Sequence, residues 1–235
     1  AVSAAQAAAI ASAAAELGAD HRVRAVVVSS SAERAFCVGA DLKERRGMTD
    51  DTWRQQHAVV EQIGRAMMDC PVPVIAAVHG FCLGGGIGLV GNADVIIASD
   101  DATFGLPEVD RGALGAATHL ARLVPQHKMR AMVYTSAVAT AAELHHFGSV
   151  LRVVPRDDLL VAAREVAGEI AAKSPTVIRA AKESLNGIDP VDVKRSYRFE
   201  QGFTFELNLA GVAAEARDAF VATGENADFS DEADG

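Results

Sequence analysis

The sequence predicts an α/β fold, and three observations carry that prediction. Apolar, β-branched runs of strand length occur at 23–30, 74–78 and 95–99. Stretches with apolar residues at helical spacing separate and follow them, and glycine or proline marks most of the junctions. Strand and helix alternating along one chain is the pattern of an α/β domain. With 235 residues, half of them hydrophobic, the chain is long enough to bury a substantial core.

In chain order, residues 1–15 are nearly pure helix formers and lack an initiator Met. The run 23–30 reads as a buried strand. Residues 50–69 place Val59, Ile63 and Met67 on one helical face, with Asp50 or Asp51 as N-cap, and Pro71 and Pro73 bar continuation. A second strand, 74–78, leads into the glycine-rich stretch 80–92, and a third strand follows at 95–99. Residues 116–124, 128–136, 141–147, 157–173 and 175–186 read as helices, interrupted by a short apolar run at 150–154. A last helical pattern covers 191–220, and the acidic tail 230–235 is expected to fray. A boundary near Pro190 divides the chain into a core, 1–189, and a helical C-terminal region, 190–235.

The balance of 22 basic and 31 acidic residues leaves a net charge of −9, with no basic stripe to neutralise a phosphate backbone, so nucleic acid is not an expected partner. Cys37, Cys70 and Cys82 are an odd number at spacings that fit neither a disulfide framework nor a zinc site. No uninterrupted apolar stretch has membrane-spanning length, and no basic segment precedes an apolar one at the N-terminus. The expectation is a soluble, cytoplasmic protein without a membrane partner.

Gly86, Gly88 and Gly91 spell a literal G-x-G-x-x-G after a strand, which raises a dinucleotide site. That motif needs its glycines in the turn directly after the strand and a full helix behind them. Here residues 79–85 intervene, and only Asn92, Ala93 and Asp94 separate Gly91 from the next strand. The cluster Gly84-Gly85-Gly86 reads instead as a turn with an exposed amide, opening a short helix over 87–92. A second loop of similar kind, Phe36-Cys37-Val38-Gly39-Ala40-Asp41-Leu42-Lys43-Glu44, can supply a converging N–H.

These loops carry a family resemblance. The segment 35–44, the block 73–86 (Pro-Val-Ile-Ala-Ala-Val-His-Gly-Phe-Cys-Leu-Gly-Gly-Gly) and Phe104-Gly105-Leu106-Pro107-Glu108 occur in the order found in the crotonase superfamily, and 179–186 (Arg-Ala-Ala-Lys-Glu-Ser-Leu-Asn) resembles its C-terminal half. The resemblance spans nearly the whole chain. It implies a spiral of ββα units with a helical C-terminal trimerisation region, a homotrimer or dimer of trimers, a strand pair preceding Ala1, and an acyl-CoA thioester substrate with no metal or redox cofactor. The amides of Ala40 and Gly85 would form the oxyanion hole, and Val38, Asp41, Leu42, Lys43, Gly84 and Gly88 would contact substrate. Backbone donors aimed at a thioester oxygen stabilise the charge that develops there, each by about 3 to 4 kcal/mol.

The resemblance assigns the acid/base role to Glu108. A two-glutamate hydratase of the family carries a further carboxylate where this chain has Gly88, which has no side chain to titrate. One carboxylate suits an enoyl-CoA isomerase, or an atypical hydratase or lyase assisted by Asp110, His119 or water. Asp110 shares a face with Glu108 if the segment is extended. His119 ends the stretch Gly112-Ala113-Leu114-Gly115-Ala116-Ala117-Thr118-His119, which stands where the family has G-x-x-P-G-x-G-G; a histidine there is more often a packed or surface residue. Cys37 and Cys82 read as core fillers rather than nucleophiles. The reading from another class is a catalytically silent acyl-CoA binding protein, motivated by Gly88 and opposed by Glu108.

Overall fold

The computed structural model describes residues 1–41, 44 and 47–225. Helix α1 (Ala4–Ala19) opens with a capping box, in which the Ser3 hydroxyl accepts from the Gln6 amide and the Gln6 side chain reaches back to Ser3. Strands β1 (Val26–Val28) and β2 (Ala35–Cys37) precede α2 (Asp50–Asp69). The cap of α2 is Thr49, whose hydroxyl accepts from the Thr52 amide at 3.3 Å, rather than Asp50 or Asp51. The chain continues through β3 (Val74–Val78), β4 (Phe81–Leu83), α3 (Gly85–Val90), β5 (Val95–Ser99) and β6 (Thr103–Gly105).

A 3₁₀ turn over Val109–Arg111 and the short α4 (Ala117–Leu120) come next, followed by α5 (Gln126–Thr135), β7 (Val138–Thr140), α6 (Ala141–His146) and β8 (Arg152–Val154). The C-terminal portion is α7 (Leu159–Ala171), α8 (Pro175–Ile188), α9 (Val193–Leu209) and α10 (Val212–Thr223). The single helical pattern expected over 191–220 is two helices, because Gly211 takes a left-handed backbone (φ +83°) between them. The helix expected over 116–124 stops after Leu120, with turns leading to Pro125.

The strands form two four-stranded sheets, β1-β3-β5-β8 and β2-β4-β6-β7; all pairs are parallel except β6 with β7. Each successive pair (β1 and β2, β3 and β4, β5 and β6) gives its first strand to one sheet and its second to the other, then a helical segment returns the chain. This is the expected spiral of ββα units. The strand-to-loop transition at Phe36 is β2, whereas the short strands β4 and β6 are not legible in the sequence, since three residues do not establish a period.

All five residues of β3 are buried. Val74, Ala76 and Val78 face the main core with Met67, Ile87 and Phe104, whereas Ile75 and Ala77 face a second core under α7 with Leu159, Ala163 and Val166. Burial on both faces explains why 74–78 reads as an unbroken apolar run. The buried Lys182 of α8 ties this region together, with Nζ 2.5 Å from Asp94 Oδ2 and 3.3 Å from the Met67 carbonyl, while the same Asp94 oxygen accepts from the Val74 amide. The function-bearing loops all leave the ends of β2, β4 and β6.

Candidate active site

The β2 and β4 ends meet through glycine. Gly84 caps α3 with φ +57°, and a β-carbon there would lie 2.6 Å from Glu108 Oε1. A β-carbon on Gly86 would lie 2.3 Å from the Cys37 carbonyl oxygen. These approaches admit only glycine, and they bring the 36–41 loop into contact with the start of α3.

Two backbone amides lie near that contact. Gly85 opens α3, so its N–H has no intrahelical carbonyl to serve. In the other loop, Val2 pairs with Ala40 in a parallel bridge, in which the Val2 amide donates to Gly39 and the Asp41 amide to Val2. Those bonds use one side of the chain, so alternation turns the Ala40 N–H to the other. A β-carbon on Gly85 would stand 3.7 Å from that nitrogen and 3.2 Å from the Gly39 Cα.

Ala40 and Gly85 line a cleft of about 700 Å³, including its open mouth. Its walls include Ile63, Met68, Leu89, Val193, Tyr197 and His119. Gly88 lies on the same wall, and a β-carbon added there would meet nothing within 4 Å. The position without a carboxylate is therefore open space. Beyond α4, a second cavity of about 1390 Å³ is lined by Glu108, Leu114, Met129, Val133, Phe199 and Phe203 among others. Glu108 lines this second cavity and not the first, with its carboxylate against Gly84 and its Cγ facing Gly115, where a β-carbon would be 3.6 Å away.

The other expected site residues divide. Asp110 does not share a face with Glu108: the segment is a 3₁₀ turn, not extended, and Asp110 lines neither cavity. Val38 is exposed and also lines neither, and Asp41 is half-buried with its amide in the Val2 bridge. Leu42 and Lys43 lie outside the described residues. Cys37 and Cys82 are free and buried, and burial pushes both thiols up, as suits core fillers.

His119 is neither at the surface nor absorbed by a polar partner. It is 5% exposed, its ring packs edge-on against Tyr197 with centroids 4.8 Å apart, and its Nδ1 is buried without a hydrogen bond. Burial, helped by the Arg122 guanidinium, holds its imidazole down at about 4, so it is neutral at neutral pH.

Three further residues escaped the sequence reading. Asn92 is buried and donates to the Gly88 carbonyl at 2.6 Å. Tyr197 and Glu200 share the face of α9 that meets α4, being three residues apart. The Glu200 carboxylate accepts from the Ala117 and Thr118 amides at 2.9 and 3.1 Å, capping α4 in place of a side chain that Ala116 cannot supply. Burial raises the Glu200 pKa, and those amides oppose the rise. A long-range cap of this kind leaves no local signature.

The spiral of ββα units, with two glycine turns meeting at an apolar cleft, is the architecture of one enzyme family. The family model of enoyl-CoA hydratase/isomerase matches residues 1–224, and the chain belongs to that family. It is 62% identical over 205 residues to the "(7aS)-7a-methyl-1,5-dioxo-2,3,5,6,7,7a-hexahydro-1H-indene-carboxyl-CoA hydrolase" of Rhodococcus jostii (strain RHA1), covering 85% of this chain and 78% of that protein. To the Mycobacterium tuberculosis (strain ATCC 25618 / H37Rv) protein of the same name it is 61% identical over 209 residues, covering 87% and 83%. Among solved structures, an enoyl-CoA hydratase/isomerase from Xanthobacter autotrophicus Py2 superposes with a TM-score of 0.86 at 28% identity, covering 95% of this chain and 86% of that one. Carnitinyl-CoA hydratase from Mycobacterium avium gives 0.83 at 28% identity, with coverage of 98% and 90%. No helix among the described residues is long and apolar enough to cross a membrane.

Proposed function

We propose that this protein is an acyl-CoA hydrolase of the enoyl-CoA hydratase/isomerase family, acting on an alicyclic, ketone-bearing acyl thioester. The observation that carries the reading is the open wall at Gly88: the position of the family's second carboxylate is open space on the cleft, while Glu108 is kept against Gly84, next to Gly85. The two relatives above 60% identity, both named as hydrolases of a fused bicyclic dione CoA ester, support the same choice over isomerisation or enoyl hydration.

Hydrolysis requires one group that takes a proton from water and returns it to whatever leaves. Glu108 suits both halves of that exchange. Hydroxide adds to a carbonyl carbon as Glu108 accepts the proton, and the Ala40 and Gly85 amides hold the negative charge that reaches the thioester oxygen. Collapse breaks the bond to the leaving group, which takes the proton back from Glu108. The leaving group is the thiolate if water adds at the thioester, or a ring carbon whose electrons delocalise onto the thioester oxygen if water adds at a ring ketone.

The test is turnover of the bicyclic dione CoA ester, with products analysed by mass spectrometry. Formation of a new carboxylic acid supports hydrolysis, and retention or release of CoA tells which carbonyl received water. An unchanged mass with a shifted double bond would overturn it.

A further inference from the structure

We propose that His119 is the specificity-determining residue of this site, a hydrogen-bonding group that receives a ketone oxygen on the acyl ring. The inference rests on the hydrolase reading for its substrate class, and on independent geometry for its location.

Gly88 and Gly91 are three residues apart on and just after α3, so they present one face. A β-carbon on Gly91 would meet the His119 Cβ at 2.7 Å, which sets the histidine next to the open Gly88 wall. His119, Gly88, Asn92 and the two oxyanion residues line the same cleft. Where the family pattern has glycine, this chain has an imidazole, and it stands beside the place where the family's carboxylate is missing. The two departures are adjacent in space though 31 residues apart in sequence.

The surroundings state what the imidazole can do. It packs against the ring of Tyr197 in a cleft that Leu89 and Val193 also line, and Nδ1 has no partner. The Oδ1 of Asn92, which is 3% exposed, is likewise buried without one. Two unpartnered polar atoms in an apolar wall represent hydrogen bonds given up on folding, and a buried polar group normally has a partner. Burial keeps the ring uncharged, so its role is that of a neutral donor, as in enzymes whose imidazole polarises a carbonyl without being protonated. A ring ketone supplies the matching acceptor. A plain carbocycle in the same cleft would leave Nδ1 without a partner.

Binding of non-hydrolysable dethia-CoA analogues tests this apart from turnover. Titration calorimetry would compare a hexahydroindene-carboxyl analogue bearing the ring ketones with its deoxo counterpart, in the parent, His119→Phe and His119→Asn, each checked by thermal melting. The parent should favour the oxo analogue roughly tenfold to a hundredfold. That ratio should fall toward one in His119→Phe and be partly restored in His119→Asn. An equal preference in parent and His119→Phe would overturn the inference even if the dione ester is hydrolysed. The converse result, a His119-dependent preference without hydrolysis, would keep the inference and remove the hydrolase reading.

Discussion

The Glu108 carboxylate occupies the space that a side chain at Gly84 would need: a β-carbon there would come within 2.6 Å of Oε1. The carboxylate and the Gly84-Gly85-Gly86 turn are thereby packed as one unit. Gly84→Ala should strain a backbone at φ +57° and push Glu108 aside, costing about 1 to 3 kcal/mol of stability. Turnover should fall by more than the stability loss explains, measurable as kcat at a temperature where the variant remains fully folded.

Glu108→Gln keeps the shape and removes the base. The expected loss in kcat is roughly 10²- to 10⁴-fold, with an unaltered melting temperature and retained CoA-ester binding. A loss of binding instead of kcat would assign Glu108 to substrate recognition.

Gly88 is the one glycine of the cluster with room for a side chain on the cleft wall. Gly88→Ala should stabilise α3 by up to about 1 kcal/mol, read from the denaturation midpoint. Gly88→Glu should fold as well, fill the cleft, reduce turnover of the bicyclic ester, and admit measurable hydration of a short 2-enoyl-CoA.

His119 gives the fold a pH dependence of definite sign. Its folded pKa is about 4 against 6.5 for the free side chain, so the unfolded chain binds the extra proton throughout that window. Stability is complete above pH 6.5 and declines as pH falls toward 4, by about 3 kcal/mol in all. His119→Gln should remove that part of the decline, seen by comparing urea midpoints of the two proteins at pH 7 and pH 4.5.

Lys182 and Asp94 bind α8 to the start of β3 and to α2. Lys182→Ala leaves Asp94 and the Met67 carbonyl without their cation. The cost should be on the order of 3 kcal/mol in chemical denaturation, and Lys182→Met should cost less because it preserves packing.

Much of this was legible in the sequence. The strands at 74–78 and 95–99 and the helix at 50–69 have the observed bounds, because their apolar periods are long and their ends are marked by proline, glycine or acidic residues. The glycine turns at 39 and 84–86 were legible, since their close approaches admit no other residue. The motif singled out Glu108, whose acid/base role is the proposal that Glu108→Gln tests, and Lys182 stood within a recognised segment without a stated role. Asp110 was misplaced because the sequence does not distinguish an extended segment from a 3₁₀ turn after Pro107. Tyr197, Glu200 and the orientation of His119 depend on α9 crossing α4, a tertiary contact with no local pattern.

The most direct measurement is turnover of the bicyclic dione CoA ester in H₂¹⁸O, with parent and Glu108→Gln followed by mass spectrometry. Hydrolysis with Glu108 as base predicts one ¹⁸O atom in a newly formed carboxylate, produced by the parent and nearly lost in the variant. Label appearing in an alcohol, no label in an isomerised product, or equal labelling by both proteins would contradict it.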